Sequence, residues 1–141
     1  MSNCTFCDIL AEKRPVSPVY QDEICSAFMD IQPVNSGHVL VIPKQHAASL
    51  AELDENTGGH LFAIGQRVAA ALRRSGIRCE GINFFLADGE SAGQDVFHVH
   101  LHVFPRYEGD GFGLRLGPHY YERPSREDLD AVAEKIRLAL F

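Results

Sequence analysis

Gln94-Asp95-Val96-Phe97-His98-Val99-His100-Leu101-His102-Val103-Phe104, followed by Pro105, is the stretch on which the rest of this chain turns. Histidine alternates with apolar residues, the period of two that marks a β-strand. A strand is therefore predicted over 96–104, closed by Pro105, which cannot donate to a ladder. On it His98, His100 and His102 share one face, while Val99, Leu101 and Val103 turn to the other and into the core. Lining a face with three imidazoles does little for stability, and exposed polar clusters of this kind mark a site. At a rise of about 3.3 Å per residue the outer pair lie about 13 Å apart at Cα, too far to converge on one ion. A neighbouring pair can converge, so a metal-dependent hydrolase built on His98 and His100 is one reading of the segment.

Upstream, Gly37 introduces His38-Val39-Leu40-Val41-Ile42, a β-branched run ended by Pro43. It has too few polar positions for a strand facing water, which predicts a central place in the sheet. Residues 19–21 and 24–29 read as a hairpin turning at Asp22-Glu23, and 82–86 as a further strand. Leu61, Ile64, Val68 and Leu72 recur at three and four residues, the stripe of an amphipathic helix stopped at Gly76. Leu129, Val132, Ala133, Ile136 and Leu140 define a last helix, with Ser125 as its N-cap and Asp128 as an imperfect capping-box partner. A short helix is predicted over 8–13, stopped before Pro15. The small, polar run 87–95 reads as a loop, and 107–124 as an ordered but irregular segment. The sum is α+β: a largely antiparallel five-stranded sheet with one long crossover helix and a C-terminal helix, in a single domain over 1–141.

Charge and cysteine usage narrow the partners. A formal net charge of −6 argues against binding a nucleic-acid backbone, which needs a basic stripe. A small phosphorylated ligand needs only local backbone N–H groups and a few histidines. The N-terminus lacks the basic start and apolar core of a signal peptide, and no apolar run is long enough to span a bilayer. A cytoplasmic protein with no membrane partner is expected, and there cysteines stay reduced. Of the four, Cys4 and Cys7 have the spacing of metal ligands, whereas Cys25 and Cys79 read as small apolar residues. A closed tetrahedral zinc site needs two more ligands, for which His46 and His98 are the candidates. With four protein ligands such a zinc is structural.

The histidine run resembles the signature of the histidine triad (HIT) family, in which histidines alternate with apolar residues. Three further blocks resemble family segments and stand in family order. They are Cys4-Thr5-Phe6-Cys7-Asp8-Ile9-Leu10, Ala27-Phe28-Met29-Asp30-Ile31-Gln32-Pro33 and Gly37-His38-Val39-Leu40-Val41-Ile42-Pro43-Lys44-Gln45-His46. The resemblance implies a HIT-like enzyme, a hydrolase or nucleotidyl transferase. Its substrates would be nucleoside phosphoramidates, dinucleoside polyphosphates or adenylylated compounds, cut at the phosphorus that carries the nucleoside.

Carried over by the resemblance, His100 is the nucleophile that forms a nucleotidyl-histidine intermediate, flanked in the triad by His98 and His102. His102 would hold phosphate oxygens, with Gln94 and neighbouring backbone N–H groups completing the cradle. Asp30 would bind the ribose hydroxyls, and Phe28 and Ile31 would line the purine slot. The resemblance also implies a zinc on Cys4, Cys7, His46 and His98, no organic cofactor, and a homodimer joined edge to edge through its sheets. Two positions depart from the family pattern. Asp95 stands where many relatives carry a hydroxyl that donates toward the leaving group, and Ala87 where many carry an asparagine or glutamine. An ionised carboxylate cannot donate, and beside phosphate it repels. These departures keep open a nucleotide-binding regulatory module with little turnover.

Overall fold

The apolar run behind Gly37 forms the middle of a five-stranded sheet. The computed structural model describes residues 3–141. Its strands are β1 (Pro18–Gln21), β2 (Cys25–Met29), β3 (Val39–Pro43), β4 (Gly81–Phe85) and β5 (Leu101–Arg106). They stand in the order β1-β2-β3-β5-β4, and every neighbouring pair is antiparallel. All of β3 is buried because both its faces are covered. Val39 and Val41 pack with Leu61, Ile64, Val68 and Leu72 of α2 (Glu55–Arg74), while Leu40 and Ile42 pack with Phe6 and Phe28 on the opposite face. A strand covered on both sides reads as a continuous apolar run rather than an alternating one.

Helix α2 carries the chain from β3 to the edge strand β4, the predicted crossover. Asp54 caps it by accepting from the backbone N–H of Asn56 and Thr57, and Ser75 is its C-cap, one residue before Gly76. The β1–β2 turn is built on Asp22, whose carboxylate accepts from the N–H of Ile24 and Cys25 and from the side chains of Tyr20 and His60. Cys25 lies in the core and Cys79 packs against it, as small apolar residues do.

Two elements differ from the sequence reading by more than one residue at an end. The first helix, α1, spans Thr5–Leu10 rather than 8–13. Its cap is Cys4, whose sulfur accepts from the N–H of Cys7, and the chain leaves the helix at Glu12 with a φ of +60°. Strand β5 begins only at Leu101, and it runs through Pro105 instead of stopping there. Residues 96–100 lie outside the sheet, where the N–H of Val99 donates to the carbonyl of Ala47 at 2.8 Å. Pro105 is tolerated because β3 pairs with β5 only as far as Val103; across from Ile82 the proline has a strand on one side alone.

The chain divides into two compact units, one ending at Asp110 and one running from Gly111 to Phe141. The first closes on the Asp110 carboxylate, which takes Arg106 in a forked pair at 2.6 and 3.0 Å and Asn35 at 2.8 Å. The second holds α3 (Arg126–Ala139), capped by Ser125 as predicted, with an irregular stretch before it. Among the described residues no helix is long and apolar enough to cross a membrane.

Gly37, which aims the chain into β3, has a φ of +104°, and a Cβ there would meet Leu72, Ile77 and Pro105 at 3.1, 3.2 and 3.2 Å. Gly37→Ala combines a disfavoured backbone with a tight contact and should destabilise the fold by about 2 kcal/mol. Urea unfolding would register this as a lower midpoint at unchanged slope, and an unmoved midpoint would show that the turn relaxes.

Candidate active site

On the sheet face away from α2, strand register sets Phe28 beside Leu40, Leu40 beside His102, and His102 beside Phe85. A cleft of about 360 Å³ lies over this row, and its walls include Phe6, Phe28, Asp30, Ile31, His100 and His102, with Asp95 also lining it. The alternation read from sequence persists, since Val99, Leu101 and Val103 join the core against α2. The imidazoles, however, do not form an exposed strand face. His98 and His100 are buried, at 0% and 3% exposure, and lie on the bent approach to β5.

That bend gives the three rings different surroundings. The Nε2–H of His98 donates to the carbonyl of Pro43 at 2.8 Å, which leaves the Nδ1 lone pair toward the N-terminal helix. There Nδ1 stands 3.4 Å from Cys4 Sγ, 3.6 Å from Cys7 Sγ and 3.2 Å from His46 Nδ1, with Cys7 Sγ 3.3 Å from His46 Nδ1. Bonds of about 2.3 Å to sulfur and 2.0–2.1 Å to nitrogen give a zinc tetrahedron with edges of about 3.6 Å (S···N) and about 3.3 Å (N···N). The four residues named from sequence therefore fit a zinc ion, and the Pro43 carbonyl orients the His98 ring as an outer partner does.

His100 turns the other way. Its Nδ1–H donates to the backbone carbonyl of His98 at 2.8 Å, and Phe6 packs edge-on to its ring at 5.0 Å between centroids. In the neutral ring this hydrogen bond leaves the lone pair on Nε2, the atom 3.8 Å from Asp95 Oδ1. A fixed imidazole with a free Nε2 is a competent nucleophile.

His102 is positioned by a residue to which sequence reading gave no role, His38. The N–H of Val34 donates to His38 Nδ1 at 2.9 Å, so the His38 proton sits on Nε2. That proton points to His102 Nδ1 at 2.9 Å, with Asp30 Oδ2 3.4 Å away. His102 therefore accepts at Nδ1 and keeps Nε2–H as a donor. The available signal was a histidine at the head of an otherwise apolar strand. Asp30 does begin a turn, accepting from the N–H of Gln32 at 2.8 Å, while its second oxygen faces His38 and, at 3.9 Å, His102.

Gln94 departs from expectation. Its Oε1 accepts from the N–H of Gly89 at 2.8 Å, and its Nε2 donates to the carbonyls of Ala48 and Val96 at 2.7 and 3.1 Å. The side chain is buried and pins the loop ahead of the histidines; it is absent from the cleft walls. Phe28 is buried on the cleft wall, Ile31 is almost fully exposed, and Ala87 is buried away from it.

Burial lowers the pKa values of His38, His98 and His102. For His102, burial and then the charges of His100 and His38 outweigh Asp30 and Asp95 and bring the value down to about 4. The unfolded chain, with a histidine near 6.5, takes up this proton first as pH falls. Stability from His102 is thus complete above pH 6.5 and is lost as pH falls toward 4. NMR titration of the imidazoles should find His102 neutral at pH 6 and half-protonated near pH 4, and a midpoint at or above 6.5 would contradict this arrangement.

Comparison with known proteins agrees with this architecture. The family model of the HIT domain matches residues 12–109. A crystal structure of a HIT family member from Bacillus subtilis is similar at a TM-score of 0.86 and 39% identity, covering 96% of each chain. A Zn-bound histidine triad family protein from Mycobacterium smegmatis is similar at a TM-score of 0.76 and 38% identity, covering 97% of each chain. The adenosine 5'-monophosphoramidase of Schizosaccharomyces pombe is 34% identical over 135 residues, 95% of this chain and 96% of that protein. With a family match over most of its length and relatives aligned across nearly all of theirs, the chain belongs to the HIT family.

Proposed function

We propose that the chain is a cytoplasmic hydrolase or nucleotidyl transferase. It would cleave purine nucleotide conjugates at the α-phosphorus through a nucleotidyl-His100 intermediate. The observation that carries this reading is the His100 ring, locked through Nδ1 on the His98 carbonyl and lining a cleft of nucleoside size. The phosphoramidase among its relatives supports the reaction class. In this reading the base rests between Phe28 and Ile31, and Asp30 accepts from the ribose hydroxyls. His102 donates from Nε2 to a phosphate oxygen, while Gln94 keeps the loop amides in place. The segments on both sides of Asp110 are proposed to act as one HIT-like domain over 1–141, since the Bacillus subtilis structure matches nearly the whole chain.

The reaction runs as two displacements. His100 Nε2 bonds to phosphorus as the bond to the leaving group breaks, its electron pair departing with that group. Water then adds hydroxyl to phosphorus, and the pair of the phosphorus–nitrogen bond returns to His100. A metal-dependent hydrolase on His98 and His100 is disfavoured by geometry, because His98 directs one nitrogen to Pro43 and the other to the Cys4–Cys7 cluster.

We assign the Cys4, Cys7, His46 and His98 cluster to a structural zinc, which would cross-link α1 to the approach to β5. A reducing compartment keeps such thiolates available. A homodimer is also proposed: β4 is an edge strand, and Phe85 on it and Phe62, packed against Phe84, stay 44% and 52% exposed.

Intact-mass analysis of base-quenched reactions with adenosine phosphoramidate should show an adduct of one nucleoside monophosphate in wild type and none in His100→Ala. Retained nucleotide binding with no adduct and no turnover would favour the regulatory-module reading instead. Elemental analysis should find about one zinc per chain. Chelation should lower the melting temperature while turnover persists in protein that remains folded, whereas turnover lost from folded protein would favour metal chemistry.

A further inference from the structure

We propose that Asp95 sorts substrates by the charge of the leaving group, favouring conjugates that release an amine over those that release a polyphosphate. This rests on the His100 chemistry proposed above. Asp95 Oδ1 stands 3.8 Å from His100 Nε2, and its side chain is 84% exposed. A phosphorus poised for attack lies about 3–3.5 Å from its nucleophile, so the carboxylate flanks the reacting centre. Its neighbour Gln94 is fully engaged in the protein, but Asp95 makes no hydrogen bond among the described residues and is available to whatever occupies the cleft.

Among the described residues, little positive charge lines its surroundings. Among the described residues lining the cleft, Arg14 alone is a lysine or arginine, and it pairs with Asp8 at 3.5 Å. The neighbouring surface that Asp95 shares with Asn3, His46 and Phe97 has no lysine or arginine among its lining residues. In an in-line displacement the leaving group lies across phosphorus from His100. With the nucleoside placed against buried Phe28, the departing group is proposed to leave toward solvent, past the exposed carboxylate of Asp95. A departing polyphosphate carries several negative charges and meets a carboxylate beside which, among the described lining residues, the one lysine or arginine is Arg14, already paired with Asp8. A departing amine keeps the electron pair of the broken bond and gains a proton, and its N–H groups are donors that a carboxylate accepts. In the first displacement a solvent water gives the departing nitrogen its proton and is left as hydroxide. In the second, water gives its hydroxyl to phosphorus and its proton neutralises that hydroxide, so one water is consumed overall.

The test compares kcat/KM for adenosine phosphoramidate and diadenosine tetraphosphate in the full-length protein, in wild type, Asp95→Asn and Asp95→Ser. Wild type should prefer the phosphoramidate, and both variants should shift the ratio toward the tetraphosphate by about tenfold or more. Raising salt should narrow the wild-type preference and leave the variants' ratio nearly unmoved. The side chain is exposed, so either substitution leaves the packing untouched, and formation of the His100 adduct in each variant checks that the site is intact. A ratio indifferent to Asp95→Asn in enzymes that turn over both substrates overturns the role of Asp95 alone. A wild type inert toward both, with no adduct, overturns the His100 reading beneath it.

Discussion

The hydrogen bond from His100 Nδ1 to the carbonyl of His98 joins the two halves of this site. His98 has its ring held at both nitrogens, by the Pro43 carbonyl on one side and by the cysteine cluster on the other. A ring so fixed holds its own backbone still, and the carbonyl of that backbone chooses which nitrogen of His100 carries the proton. Loosening the N-terminal helix would therefore reach the cleft through one peptide group. Burial reinforces the arrangement, because a ring nitrogen turned away from its partner would be left without one, at a cost of roughly 1–3 kcal/mol. Among the described residues, no buried side-chain nitrogen or oxygen lacks a partner.

The second ring is fixed by similar logic, from a group that cannot titrate. The amide of Val34 always donates, so His38 must accept at Nδ1 and pass its own proton toward His102. One backbone N–H thereby determines the tautomers of two histidines. Burial keeps both rings neutral near physiological pH, which makes His102 a directional donor rather than a diffuse positive charge. Asp30 touches both rings while also shaping the turn that follows it, so its turn chemistry and its place in the site are compatible.

Much of this was legible in the sequence, and the failures have physical causes. The Val39–Pro43 run was readable because a strand covered on two faces must be apolar throughout. Helix α2 was readable because one stripe faces the sheet. The histidine run was read as strand too early, because alternation reports which side a residue faces but not whether a neighbour pairs with it. Residues 96–100 alternate without a partner strand. Helix α1 was misplaced because a cysteine caps it, and cysteine is not among the usual cap residues. His38 stands at the head of an apolar run and Gln94 in a small, polar loop; only tertiary contacts reveal their partners 64 and 46 positions away.

The alternation across 98–103 has an evolutionary consequence. Val99, Leu101 and Val103 answer to the packing against α2, while His98, His100 and His102 answer to the cysteine cluster and the cleft. Packing and chemistry thus set separate demands on interleaved letters of one short word. A lineage can retune thermal tolerance at the odd positions while its chemistry is held at the even ones, which lets one segment diverge in half its residues and still perform the same task.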